Sequence, residues 1–134
     1  MNLVININEP IFNNIYFNDP IKNTVMNDSN FIRILYSNSY FVLNGIYIKI
    51  NLIKNNEEFN NNIIISIDKL ERHILNLYNN KKNHLLKLKE QINYFIDKLN
   101  NSKNINNISY MLKISGIWET DLSIGITFKF ISYF

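Results

Sequence analysis

From Phe31 to Leu52 apolar and polar residues alternate with a period of two, as in strands that bury one face and expose the other. Phe31-Ile32-Arg33-Ile34-Leu35-Tyr36, the polar trio Ser37-Asn38-Ser39, then Tyr40-Phe41-Val42-Leu43-Asn44 and Ile46 to Leu52 predict two or three antiparallel strands. The trio supplies a tight loop. Asn44-Gly45 is either a second hairpin turn or a bulge that needs a positive φ. In the last run Ile46, Ile48, Ile50 and Leu52 form a core face, while Tyr47, Lys49 and Asn51 put an aromatic ring, a cation and an amide on the other. That mixed face is the first candidate binding surface.

A different period follows. Asn55 to Asn62 reads as a polar loop, and Ile63-Ile64-Ile65 either extends a strand or staples the start of a helix. Asp68 with Glu71 three residues on resembles a capping box, and Leu70, Ile74 and Leu77 recur at helical spacing, predicting a helix from about Asp68. The stripe resumes at Leu85, Leu88, Ile92, Phe95, Ile96 and Leu99 after the interruption Asn79-Asn80-Lys81-Lys82-Asn83. That interruption favours two helices meeting at a turn over one long helix with a polar patch.

Beyond the Asn-rich loop 100–107, Tyr110, Leu112 and Ile114 face one way and Met111, Lys113 and Ser115 the other, with Gly116 marking a bulge or bend. Glu119-Thr120-Asp121 makes a turn into a final strand that buries Ile124, Ile126, Phe128 and Phe130 and shows Gly125, Thr127 and Lys129. At the other end, Asn8-Glu9-Pro10-Ile11 and Asn18-Asp19-Pro20-Ile21 form a near-repeat in which each proline holds the preceding acid in extended or turn geometry. Leu3, Ile5 and Ile7 suit a short edge strand leading into this arm, which is expected to pack on the domain. The expected fold is α+β, a single domain over residues 1–134. An extended arm (1–29) precedes strands (30–67), a helical insert (68–100) and a C-terminal hairpin (108–134). The sheet is either small and antiparallel or an OB-like, partly open barrel.

Composition narrows the chemistry. A chain of 134 residues that is 46% hydrophobic, 19% charged and 13% aromatic is sized and composed to fold as one domain. It has no cysteine, which removes disulfides, thiolate metal sites and cysteine nucleophiles and favours an intracellular, reducing compartment. No apolar run approaches the ~20 residues of a membrane-spanning helix, and Met1-Asn2-Leu3-Val4 lacks the basic stretch of a secretion signal, so neither a membrane nor an export route is expected. Alanine is absent while Asn, Ile and Lys abound, the residues of A/T-rich codons.

The formal charge is +3, with four Lys/Arg against five Asp/Glu in residues 1–60, seven against four in 61–100 and three against two in 101–134. This balance is compatible with binding a polyanion. His73 and His84 are the only histidines, and on one continuous helix they would stand about 16 Å apart, too far to share a metal. No serine sits in a glycine-flanked elbow, the three glycines form no phosphate-cradling loop, and Glu57-Glu58 and Glu119/Asp121 lie in expected loops or turns. No catalytic constellation, metal or cofactor is expected.

What remains is the interleaving of cations and aromatics on strands: Arg33, Tyr36, Tyr40, Tyr47, Lys49, Lys113, Trp118 and Lys129. Single-stranded nucleic acid is held by such surfaces, with bases stacking on rings and Lys and Arg following the phosphates. Strict alternation from Ile114 buries Trp118, whereas a bulge at Gly116 exposes it. The segment Leu112-Lys113-Ile114-Ser115-Gly116-Ile117-Trp118-Glu119-Thr120 with Ile124 to Phe130 resembles the ending of small proteins from large AT-rich DNA viruses. Phe31 to Ser37 with Phe41 to Tyr47 is similar to the front half of the same group. Such proteins distantly resemble the OB-fold single-stranded DNA-binding proteins of phage replication, in which a helix interrupts a five-stranded barrel.

The resemblance implies a non-catalytic protein that coats single-stranded DNA during viral replication, in the host cytoplasm or a virus factory. The phage proteins carry a long acidic C-terminal tail that recruits partners, and no acidic run follows Lys129 here. Arg33, Lys49, Lys113 and Lys129 would then meet phosphates, and Tyr40, Tyr47 and Trp118 would stack on bases. The competing expectation is a structural or assembly protein, such as a virion component. It would form homo-oligomers through Leu85, Leu88, Ile92, Phe95 and Leu99, and burial of that stripe against the chain's own sheet counts against it.

Overall fold

A computed structural model describes residues 4–5, 14–25, 28–37, 40 and 42–133. The first Asn-Glu-Pro-Ile copy and most of the first expected strand lie outside them. Along the chain come β1 (Val4–Ile5), β2 (Ile15–Phe17), β3 (Ile21–Lys22), β4 (Asn30–Ser37), β5 (Val42–Asn44), β6 (Ile46–Ile53), α1 (Glu57–Tyr78), β7 (Asn83–Leu85), α2 (Leu88–Asn100), β8 (Asn107–Glu119) and β9 (Ser123–Tyr133). The domain is α+β. Its sheet is a curled, open half-barrel, OB-like in being partly closed, with the helical segment inserted before the C-terminal hairpin.

The long strand β8 organises the sheet. One of its edges pairs antiparallel with β6, from Ile53↔Asn107 to Ile46↔Ile114, and then with β4, from Arg33↔Gly116 to Asn30↔Glu119. Its other edge forms the hairpin with β9. The far half of β4 leaves β8 and pairs with β5. Gly45 is the corner where the chain passes from β5, paired with β4, to β6, paired with β8: its φ is +94°, and a Cβ there would meet the Ile114 carbonyl oxygen at 2.8 Å. Only glycine combines that backbone conformation with that approach. The arm is part of the sheet, since β2 and β3 pair with β4, and β1 pairs parallel with β6.

The core lies on one face of the sheet. Ile32 and Ile34 of β4, Ile46, Ile48, Ile50 and Leu52 of β6, Leu112, Ile114 and Ile117 of β8 and Ile124 and Ile126 of β9 meet Ile64, Ile67, Leu70, Ile74 and Leu75 of α1 and Leu88, Ile92 and Leu99 of α2. Phe95 of α2 completes this layer by stacking on Tyr110 with ring centroids 4.3 Å apart and meeting Phe130 edge-on at 5.1 Å. The stripe Leu88, Ile92, Phe95 and Leu99 is thus spent on the chain's own sheet. Leu85, its fifth member, sits on β7 rather than on a helix. The oligomerisation surface expected from that stripe is therefore corrected: Leu88, Ile92 and Leu99 are buried in the chain's own core and Phe95 is half-buried, which leaves Leu85 alone of the five exposed.

The helix begins at Glu57, not at Asp68, so 57–67 are helical rather than loop or strand. Asn56 caps it by accepting the Phe59 N–H at 3.1 Å, and Glu57 and Glu58 place two negative charges in the first turn, where the helix dipole favours them. Two polar residues, Asn60 and Glu71, stand within the buried stripe. Asn60 donates to the Ile53 carbonyl at 2.7 Å and accepts its N–H at 3.0 Å, tying the helix start to the end of β6. Asp68 is an interior residue paired with Arg72 at 2.9 Å. The insert does hold two helices, but β7 between them pairs parallel with β9. His73 on α1 and His84 on β7 therefore do not share a helix.

Candidate nucleic-acid interface

The face opposite the core is read from the strand register. Tyr47, Lys113 and Lys129 form one row across β6, β8 and β9, with Lys49, Met111 and Ile131 on one side of it. On the other side lie Arg33, Gly116 and Thr127, and then Phe31, Trp118 and Gly125. Six of the seven residues expected to bind (Arg33, Tyr47, Lys49, Lys113, Trp118 and Lys129) therefore share one face. Tyr40 does not. It stands at the tip of the β4–β5 hairpin, 91% exposed and beyond the sheet.

Trp118 reaches this face because of a register shift between Ile114 and Gly116. Ser115 is the extra residue, its Oγ donating to the Thr127 carbonyl at 3.2 Å. The bulge moves the core parity from Leu112 and Ile114 to Ile117, turning Trp118 outward. Two glycines make room for rings there: a Cβ on Gly125 would lie within the Trp118 indole, and one on Gly116 within the Phe31 ring. Trp118 is thus half-buried, with its indole laid over Gly125. Gly125→Ala is expected to lift the indole and cost about 1 to 3 kcal/mol. A lower midpoint in thermal unfolding with a red-shifted tryptophan emission would show it, and an unchanged spectrum would contradict the packing.

The face is electrostatically one-sided. None of the strand positions on it carries a carboxylate. Lys113 and Lys129 are direct cross-strand partners, an arrangement of like charges that opposes folding. Lys113 Nζ lies 5.6 Å from the Tyr47 ring centroid, and the Arg33 guanidinium 5.8 Å from that of Phe31. Among the described residues none of Arg33, Lys113 and Lys129 has a carboxylate partner. Glu119, the carboxylate adjoining Trp118, turns to the other face, where it accepts the Tyr78 hydroxyl at 3.0 Å and pairs with Lys82 at 3.1 Å. Burial first, then the hydrogen bond to Glu119 and its charge, push the Tyr78 hydroxyl up to about 12. This acid is held away from Arg33, Lys113 and Lys129.

Beside Trp118 a groove of about 500 Å³ opens between the segment after β3 and the outer face of the sheet, lined mainly by Ile21, Val25, Phe31, Trp118, Thr127 and Phe128. Sequence reasoning passed over Phe31, although alternation from Arg33 places it on this face. It also passed over 21–25, whose approach to β8 and β9 depends on a chain reversal that no local pattern reports. Among the described residues no group of three His, Cys, Asp or Glu is placed to hold a metal ion, and no helix is long and apolar enough to cross a membrane. No protein-family model matches the chain, and neither a curated protein nor a solved structure was found to match it.

Proposed function

We propose that this chain is a non-catalytic single-stranded DNA-binding protein that acts in viral DNA replication, in the host cytoplasm or a virus factory. The observation that carries the reading is the directly opposed pair Lys113 and Lys129 on a face whose described strand positions carry no carboxylate. Such a pair weakens the free protein and is relieved when a phosphate comes between the two ammonium groups. Arg33 and Lys49 extend the cationic track, and Tyr47 and Trp118 offer ring surface to bases within it. Tyr40, at the hairpin tip, would reach a strand only where it leaves the sheet. The viral setting rests on the resemblance of the two segments described above. The reading as an assembly protein loses its main support, because Leu88, Ile92 and Leu99 of the stripe it relied on are buried in the chain's own core.

The test is fluorescence anisotropy of a labelled oligo-dT of ~30 nucleotides, with a duplex of equal length as control. Four phosphate contacts predict that log K falls against log salt with a slope of about −3 for a single strand. Preference for the single strand, with quenching of Trp118, is the expected result. No binding at low salt would overturn the proposal.

A further inference from the structure

We propose that the groove beside Trp118 seats one unstacked thymine of the bound strand, an inference that rests on the single-strand reading above. The groove is continuous with the cationic face, because Thr127 on its wall lies in the row next to Lys113 and Lys129. Among the described residues its one charged lining residue is Lys22, and no carboxylate lines it. A ligand entering here must satisfy apolar walls while its neighbours meet Arg33, Lys113 and Lys129, and a base attached to a phosphodiester chain does both. The volume of about 500 Å³ is in the range that holds a small planar group.

The lining also discriminates among bases. Ser115 Oγ donates to the Thr127 carbonyl and Asn23 Oδ1 accepts the Val25 N–H at 2.9 Å, bonds that tie the wall together, while the lining itself is mainly apolar. Thymine's C5 methyl suits the apolar contacts of Ile21, Val25 and Phe31. Uracil lacks that methyl.

The experiment compares oligo-dT with oligo-dU of the same length and backbone, by anisotropy, on the wild-type protein and on Val25→Glu. Val25 is 91% exposed, so the substitution places a carboxylate at the groove without disturbing the core. Wild type is expected to bind oligo-dT about fourfold more tightly than oligo-dU, the worth of one buried methyl. Val25→Glu is expected to lose that preference and to keep binding both oligomers through the cationic face. Equal affinity of wild type for the two oligomers would overturn the thymine site while leaving the single-strand reading intact. A preference unchanged in Val25→Glu would place the methyl elsewhere and overturn the site as well. No binding of either oligomer would sink both.

Discussion

Replacing Glu71 with alanine is expected to destabilise the folded protein by about 2 to 4 kcal/mol in urea unfolding, since two inward-facing N–H groups lose their acceptor. Glu71 is 0% exposed and lies on α1, yet its carboxylate caps α2. It accepts the Lys87 N–H at 3.0 Å and the Leu88 N–H at 3.3 Å, where Lys87 itself offers no side-chain cap. A helix start left without an acceptor inside the core has no water to turn to. Burial raises the Glu71 pKa above the usual carboxylate range. The two backbone bonds oppose that rise, Asp68 adds to it and Arg72 reduces it.

The sign of the pH effect follows from that shift. The folded protein holds this proton more tightly than the unfolded chain, so the group's contribution is complete below the ordinary carboxylate pKa. It is lost as pH rises through the higher folded value. Glu71→Gln, which does not titrate, should flatten this part of the stability profile. An alanine variant as stable as wild type would show that water reaches the start of α2.

Lys129→Glu is expected to move stability and binding in opposite directions. Opposite charges would then face each other at the Lys113 row, and the fold should gain about 0.2 to 1 kcal/mol. Affinity for oligo-dT should fall at least tenfold at low salt, because one phosphate contact is lost and a negative charge enters the track. Thermal unfolding and anisotropy on the same preparation give both values. A structural surface without a ligand would show the gain in stability with no loss of binding, and that result would sink the proposed function.

Much of the site was legible because a strand's two-residue period is local. Tyr47 and Lys49 could be assigned to the outer face from Ile46, Ile48 and Ile50 alone. The same counting left Trp118 open, since one inserted residue reverses every later position and Gly116 marks a bulge or a bend without deciding between them. The register of β8 against β4 and β9 decided it. The start of α1 was hidden for another reason. Asn60 and Glu71 occupy buried stripe positions, and a polar residue can do so only when partners distant in sequence satisfy it, here Ile53, Lys87 and Leu88.

The sequence by itself determined the order of elements around the insert, the core residues of the strands and which side chains could face solvent with them, because these follow from alternation and from turn-forming residues. Tertiary structure alone decided the pairing of β8 with both β6 and β4, and with it the opposition of Lys113 to Lys129. It also decided the groove under 21–25 and the burial of the α2 stripe in the chain's own core. Those features arise from contacts between segments far apart along the chain, whose energies depend on packing and register that no local window contains.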